Sequence, residues 1–409
     1  MTKHSQMARR TLLRAGCVAG LTAWGPGRAR AEAGEIVLIG VLNDESGPYA
    51  DLSGPGSVLA ARMAIADVGG SVLGRRIEVL VGDHQNKADI GLGIVREWLA
   101  TKGVDMVVDF GNSAISLGSQ QLVQQYDRLA LQVASTSSDI TGKGCVRNSI
   151  QWAQNTYADA NGLARGLLQS GKKTFFFITV DYAFGHSVEA DATHAITSGG
   201  GRIVGSVKHP LNTMDFSSFL ISAQASGAEV IVLANSGTDF IIAVKQAREF
   251  GISPKQLIAA PIVYLTDIHA LGLDVAQGLQ FVQSWYWDLD DRSRVWAKRF
   301  FAEQQRMPTD LQAGVYSATL HYLKAVQQAG TVQTEPVLAV MKAMPVDDMY
   351  TRSGRIQANN KMVFDLYLMR AKRPEQSKYP WDYLEVVAKI PAAEAFQAPA
   401  ESGCNLTPG

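Results

Sequence analysis

The sequence predicts an α/β protein with two parallel sheets, one in each of two lobes. Short β-rich runs alternate with longer stretches in which apolar residues recur at helical spacing, and this pattern occurs twice. The first series has strand starts at Ile36, Ile77, Asp105 and Leu129, with helices from Ser57, Ala88 and Ser113 between them. The second has strand starts at Thr174, Ile203, Val230 and Leu257, with helices from Ser187, Phe216 and Asp239. Strand and helix alternating at this spacing call for right-handed crossovers and a parallel sheet, and two series make two sheets. Length agrees: 409 residues, 46% of them apolar, exceed one ordinary core and supply material for two.

The N-terminus fixes a compartment. Residues 1–31 hold Lys3, Arg9, Arg10, Arg14, Arg28 and Arg30 and no acid, running from basic to weakly apolar to Ala29-Arg30-Ala31. That order predicts a cleaved signal peptide, and Arg9-Arg10-Thr11-Leu12-Leu13-Arg14 resembles a twin-arginine export signal. Cys17 makes a poor lipobox, because Arg14 stands where an apolar residue is required. Removing six basic residues from a chain with 38 basic and 38 acidic side chains leaves 32 against 38, a mature charge near −6. A nucleic-acid surface is not supported.

The first strand, 36–42, has the β-branched content of a buried parallel strand and leads through a Ser/Gly/Pro/Tyr loop to a helix. In a doubly wound sheet this loop lies where ligands bind, and the free N–H groups of the helix favour an anion. Neither G-x-G-x-x-G nor G-x-x-x-x-G-K-[ST] is present, so a small organic ligand is expected rather than a nucleotide. After Gly278 the order changes to an aromatic strand at 279–287, helices near 291–305, 312–329 and 335–343, strands at 362–369 and 383–388, and an Ala/Pro-rich tail from Pro391. Cys145 and Cys404 survive processing, and an oxidising compartment would let them pair and anchor that tail.

Taken in order, Ser46-Gly47-Pro48, Asp109-Phe110-Gly111-Asn112-Ser113, Ala134-Ser135-Thr136 with Asp139-Ile140-Thr141, Asp181-Tyr182-Ala183-Phe184-Gly185 and Lys245-Gln246-Ala247-Arg248 resemble the type I, leucine/isoleucine/valine-binding-like solute-binding proteins of ABC importers. The resemblance runs from about Glu35 to Met369. It implies two Rossmann-like lobes joined by three crossovers, near Trp152, Ser284 and Ser353, closing on a ligand. The division it implies is a signal peptide at 1–31, one lobe of 35–152 plus 285–353, a second of 153–284 plus 354–390, and a tail of 391–409. The implied partners are a small carboxylate and the permease and ATPase subunits of an inner-membrane importer. No metal or organic cofactor is implied, and a monomer is expected.

Ligand positions follow from the strand ends. Asn112 and Ser113 follow 104–110 and open a helix, which suits a carboxylate; Ala134, Ser135 and Thr136 follow 129–133 in the same way. By resemblance, Ser113, the Ala134 backbone and Thr136 hold the carboxylate; plain helix caps and Ser turns are the competing account. From the second lobe, Asp181, Tyr182 and Phe184 follow 175–180, Asn235 and Ser236 follow 230–234, and Tyr264 follows 258–262. Tyr49 and Leu52 of the first loop and Trp152 at the first crossover complete the candidates. Each aromatic could equally be core.

Charge points to the ligand class. The family's amino-acid binders hold the ligand ammonium with a glutamate at a position here placed at Pro261, and nothing acidic lies between Gln256 and Thr266. An unpaired buried ammonium costs several kcal/mol, so unless Asp181 substitutes, a carboxylate without an amine is expected. Importers sharing the Asp-Tyr-Ala-Phe-Gly pattern also resemble aromatic-acid systems. A branched-chain amino-acid binder is the alternative. A ligand-sensing receptor domain or a periplasmic hydrolase is the alternative of another class. An enzyme is not expected: no H-E-x-x-H, C-x-x-C or G-x-S-x-G occurs, and Asp83-His84 reads as a polar loop whose Asn86 caps the next helix.

Overall fold

The eight residues Ile36–Asn43, six of them buried and Ile36 and Leu38 half-buried, form a strand covered on both faces at the centre of a six-stranded sheet. The order across that sheet in a computed structural model is Ser71–Val72, Arg75–Asp83, Ile36–Asn43, Met106–Asp109, Leu129–Gln132, Ser149–Gln151. All neighbours are parallel except the short Ser71–Val72 pair. The structure describes residues 36–252 and 255–406. The expected signal peptide and its cleavage site lie outside the described residues.

The second lobe repeats the arrangement. Its parallel sheet runs Leu257–Ala259, Val230–Ala234, Thr174–Val180, Arg202–His209. In each sheet the first strand of the series lies between the second and the third, so the order of strand addition reverses beside Ile36–Asn43 and beside Thr174–Val180. Ligand crevices form at the carboxyl ends of strands at such switch points. An antiparallel sheet of Gln280–Gln283, Leu366–Ala371 and Leu384–Ile390 completes this lobe.

All eight anticipated strands of the two series exist, and helices start at Ala88 and Ser113 as expected and at Ser217, one residue after Phe216, while the other three start earlier than their periodicity suggested. They begin at Gly54, Ala183 and Gly237 rather than at Ser57, Ser187 and Asp239. The small residues Gly54, Ala183 and Gly237 are therefore first-turn helix rather than loop. The aromatic run 279–287 is strand only over Gln280–Gln283, because the rest crosses between lobes. Asn86 does not cap a helix: Lys87 holds the cap position of Ala88–Glu97, and the Asn86 side chain pairs with that of Asn112.

Three connections join the lobes, at residues 152–155, 284–290 and 344–361. The buried carboxylate of Asp310 ties them together. It accepts from Gln154 Nε2 at 2.8 Å and from Ser284 Oγ at 2.9 Å, while Tyr350 Oη donates to Ser284 Oγ at 2.7 Å. Cys145 and Cys404 are joined by a disulfide.

Candidate ligand-binding cleft

The loop that leaves Ile36–Asn43 is shaped by one carboxylate. Asp44 accepts from the backbone N–H of Gly47 at 2.7 Å and of Tyr49 at 2.9 Å. Its far end is pinned from the helix Asp310–Ala329: Thr309 Oγ1 donates to the Leu52 carbonyl at 2.8 Å, and Gln312 Nε2 to that of Ser53 at 3.0 Å. Tyr49, Leu52 and Ser53 are thereby held at the cleft wall.

The strand Met106–Asp109 ends in a sharp reversal, with Asp109, Phe110 and Gly111 at φ of 87°, 74° and 52°. Left-handed backbone at two non-glycine residues is strained and is retained where surroundings over-determine it. A Cβ on Gly111 would meet His84 Nε2 at 2.9 Å, so glycine is required there. The reversal turns Gly111 and Ser113 toward the cleft. Asn112 caps the helix Ser113–Gln125 by accepting from the N–H groups of Ala114 and Ile115. Ser113 Oγ accepts from Ser137 N at 3.3 Å and lines the cleft with Ala134 and Thr136.

Across the gap stand Tyr182 and Phe184, ring centroids 5.9 Å apart, with Ser236 and Tyr264. Leu311 also lines the gap. The hydroxyls of Tyr49 and Tyr182 lie 2.9 Å apart, one from each lobe, and Ser137 Oγ lies 2.5 Å from Ser187 Oγ. These direct bonds make this the closed form. In this closed form the walls leave about 20 Å³ of free space, so they must part to admit a ligand. Buried hydroxyls of Ser53 and Ser236 have no partner among the described residues.

Nine candidates thus converge: Tyr49, Leu52, Ser113, Ala134, Thr136, Tyr182, Phe184, Ser236 and Tyr264. Five stand elsewhere. Asn112 is a helix cap. Ser135 is buried behind the wall, its carbonyl accepting from Gln151 Nε2 at 3.1 Å. Trp152 is core, donating to Ser317 Oγ at 3.2 Å and packed on His321. Asn235 is buried against His209 at 3.1 Å. Asp181 faces solvent, paired with His186 at 2.8 Å, which lowers its pKa, so it does not stand in for an ammonium-binding acid.

A match to the family model described as periplasmic binding protein covers residues 37–378. The chain belongs to the periplasmic binding protein family. A periplasmic binding protein from Burkholderia mallei is 42% identical, with a TM-score of 0.88 over 90% of this chain and 98% of that one. A branched chain amino acid ABC transporter periplasmic ligand-binding protein from Burkholderia xenovorans LB400 is also 42% identical, with a TM-score of 0.80 over 90% and 99%. A solute binding protein of an ABC transporter from Rhodopseudomonas palustris BisB5, in complex with 3,4-dihydroxybenzoic acid, shares the fold at 20% identity and a TM-score of 0.79 over 88% and 98%. The curated Leu/Ile/Val-binding protein homolog 6 of Brucella melitensis is 26% identical over 60% of this chain and 63% of its own length, so the match spans less than two thirds of that relative.

Three wall residues of this periplasmic binding protein escaped sequence reasoning. Ser53 was legible, as a small polar residue before Gly54-Pro55 at a helix start. Gly111 lay inside a recognised motif. Leu311 reaches the cleft from a helix more than 250 positions beyond the first loop, and no local pattern marks that.

Buried acids surround the wall. Burial, the largest influence, pushes Asp109 up to about 7 and Asp239 up to about 6. For Asp109 the folded value lies above the unfolded one, so the folded state keeps a proton that the unfolded chain has released. Its contribution to stability therefore falls as pH rises from about 4 to about 7. Asp109→Asn is expected to flatten that window, moving the variant's stability relative to the parent by on the order of 1–3 kcal/mol in its favour between pH 4.5 and pH 8. Urea unfolding at both pH values measures it. A constant difference across the window would show that Asp109 titrates alike in both states.

Proposed function

We propose that this chain is the periplasmic substrate-capturing component of an ABC importer, and that its cleft holds a small aromatic carboxylate. The observation that carries the ligand class is the wall itself. Ser113, Ala134 and Thr136 line one side beside a helix N-terminus, the Ala134 N–H itself being taken by the Asp109 carbonyl at 3.1 Å, aromatic rings line the other, and no wall residue is acidic. A carboxylate gains charge-assisted bonds from hydroxyl and N–H donors. An α-ammonium would be desolvated with no carboxylate in direct contact. Stacking on Phe184 and Tyr182 adds about 0.5–1.5 kcal/mol per aromatic pair beyond area burial. The free hydroxyls of Ser53 and Ser236 suit a second, neutral polar substituent. Tyr49, Leu52 and Tyr264 then complete a site that touches the ligand from both lobes only when closed, which is how ligand drives a hinge.

Its relatives are solute-binding proteins rather than enzymes. Family membership and the signal-like N-terminus support a periplasmic location, with permease and ATPase subunits as partners.

A second reading, α-amino acid binding, has one observation in its favour. Asp239 is buried one turn into the helix that starts beside Ser236, its Oδ1 has no partner among the described residues, and its charge adds to the burial that chiefly raises the pKa of both Tyr49 and Tyr182. Thermal-shift titration decides between the two readings. Benzoate, 4-hydroxybenzoate and a phenylpropenoate are expected to raise the melting temperature, a ligand at 100 times its Kd contributing about 2.7 kcal/mol. A rise with leucine, isoleucine or valine alone, lost in Asp239→Asn, would overturn the aromatic reading and identify Asp239 as the ammonium partner.

A further inference from the structure

A fourth covalent path runs between the lobes, through the C-terminal tail. On the second-lobe side the tail is firmly seated. The strand Leu384–Ile390 pairs with Leu366–Ala371, the helix Ala392–Ala395 packs on Thr156–Gln169, and Glu394 pairs with Arg165 at 2.9 Å. Phe396 is buried against Phe364, ring centroids 5.9 Å apart, with the Lys361 ammonium 4.7 Å from the Phe396 ring centre. From there the chain crosses to the first lobe. It passes a short turn, Pro399–Glu401, and lays the Ser402 carbonyl so close to Gly142 that a Cβ there would lie 2.8 Å from it. It ends bonded at Cys145, which sits between the first-lobe strands Leu129–Gln132 and Ser149–Gln151. Along this crossing the tail borders a groove of about 360 Å³ whose other walls include Tyr157, Arg355 and Gln357.

We infer that the tail is a strap tied across the hinge, and that the Cys145–Cys404 bond biases the protein toward its closed form. Fully extended, residues 397–404 reach at most about 26–29 Å. The turn keeps them shorter, held by Gln397 Nε2 donating to the Glu401 carbonyl at 2.9 Å and Ser402 Oγ to that of Pro399 at 2.8 Å. Any lobe rotation that carries residues 142–145 away from the helix Thr156–Gln169 must pull out this turn or lift Phe396 from Phe364. The closed form requires neither. Tethering also keeps the tail at high effective concentration against the first lobe, so contacts such as Ser402 on Gly142 re-form readily on closing. Neither cysteine lies in a sheet, so cutting the strap leaves both cores intact.

Small-angle X-ray scattering without any ligand tests this, on four samples: the oxidised protein, the same protein reduced and alkylated, Cys145→Ser with Cys404→Ser, and a chain ending at Gln397. The last three are expected to share a larger radius of gyration and an open-to-closed ratio about five-fold higher, with unchanged circular dichroism. The truncated chain keeps Phe396 and its packing, so it separates tethering from seating. If the double serine variant fails to fold, the reduced and alkylated protein reads the same quantity. Equal radii in all four samples would overturn the inference. So would an increase accompanied by lost ellipticity, which would make the tail a part of the fold rather than a restraint on its hinge.

Discussion

Lys361→Ala is expected to remove about 3–5 kcal/mol of folding stability, because it breaks a buried charged cluster that locks two crossovers together. Lys361 is 2% exposed. Its ammonium donates to the Gln151 carbonyl at 3.3 Å, to that of Met362 at 2.9 Å and to that of Ala153. Gln151 and Ala153 flank the start of the first crossover, and Lys361 ends the third. Burial lowers the lysine pKa well below its ordinary value and raises that of Asp159 well above, while the attraction between the two opposes both shifts. Alanine would strand three carbonyls without a donor, leave Asp159 without its counter-charge, and open a cavity beside Phe396. Lys361→Met keeps the stem volume and removes only the donors and the charge, so its loss should be the smaller. Urea unfolding of both variants measures this. A loss under about 1 kcal/mol for the alanine variant would mean that water replaces the ammonium there, and the cluster does not hold the hinge.

Nothing in the local sequence announces that cluster. Lys361 lies in an Asn-Asn-Lys run that reads as an exposed turn, and its burial depends on the first crossover arriving from more than 200 residues away. The same distinction separates what was legible in the cleft from what was not. The strands were readable because a parallel strand buried on both faces needs a continuous β-branched run, as in Val230–Ala234. The cleft followed from topology, since the residues after those strands must share one end of each sheet. Side-chain direction did not follow. Tyr182 and Phe184 reach the wall, while Asp181 beside them turns outward to His186 and Lys208, because Tyr182 is the cap residue of a helix that starts at once and Asp181 still belongs to the strand end. Asn235 and Ser236 divide likewise, Asn235 inward to His209 and Ser236 to the cleft. Trp152 was ambiguous as an aromatic at a crossover, and the long helix Asp310–Ala329, anticipated as a helix but with no local motif to mark what it packs on, claims it for the core.

Thr136→Val is expected to weaken benzoate binding by about 10- to 100-fold, the equivalent of one charge-assisted hydrogen bond. Valine preserves the shape of threonine, and the Thr136 carbonyl goes on accepting from Thr156 N at 2.8 Å, so the loop stays in place and only the hydroxyl donor is lost. Ser113→Ala should cost at least as much, but through two routes. Ser113 Oγ accepts from Ser137 N, and Ser137 Oγ meets Ser187 Oγ of the opposite lobe, so that variant loosens a contact of the closed form as well as the ligand. The two variants should therefore differ in kinetics. Thr136→Val loses affinity only for ligands that carry the carboxylate, whereas Ser113→Ala also speeds release of ligands that lack it. Benzamide separates them, being the same ring without the charge. The parent protein should prefer benzoate to benzamide, Thr136→Val should lose most of that preference, and isothermal titration with both ligands reads it directly. If Thr136→Val binds benzoate as tightly as the parent does, the carboxylate does not sit against the 134–136 loop, and the orientation of the ligand in the cleft would have to be reversed, with its ring toward Ser113 and its charge toward Ser236.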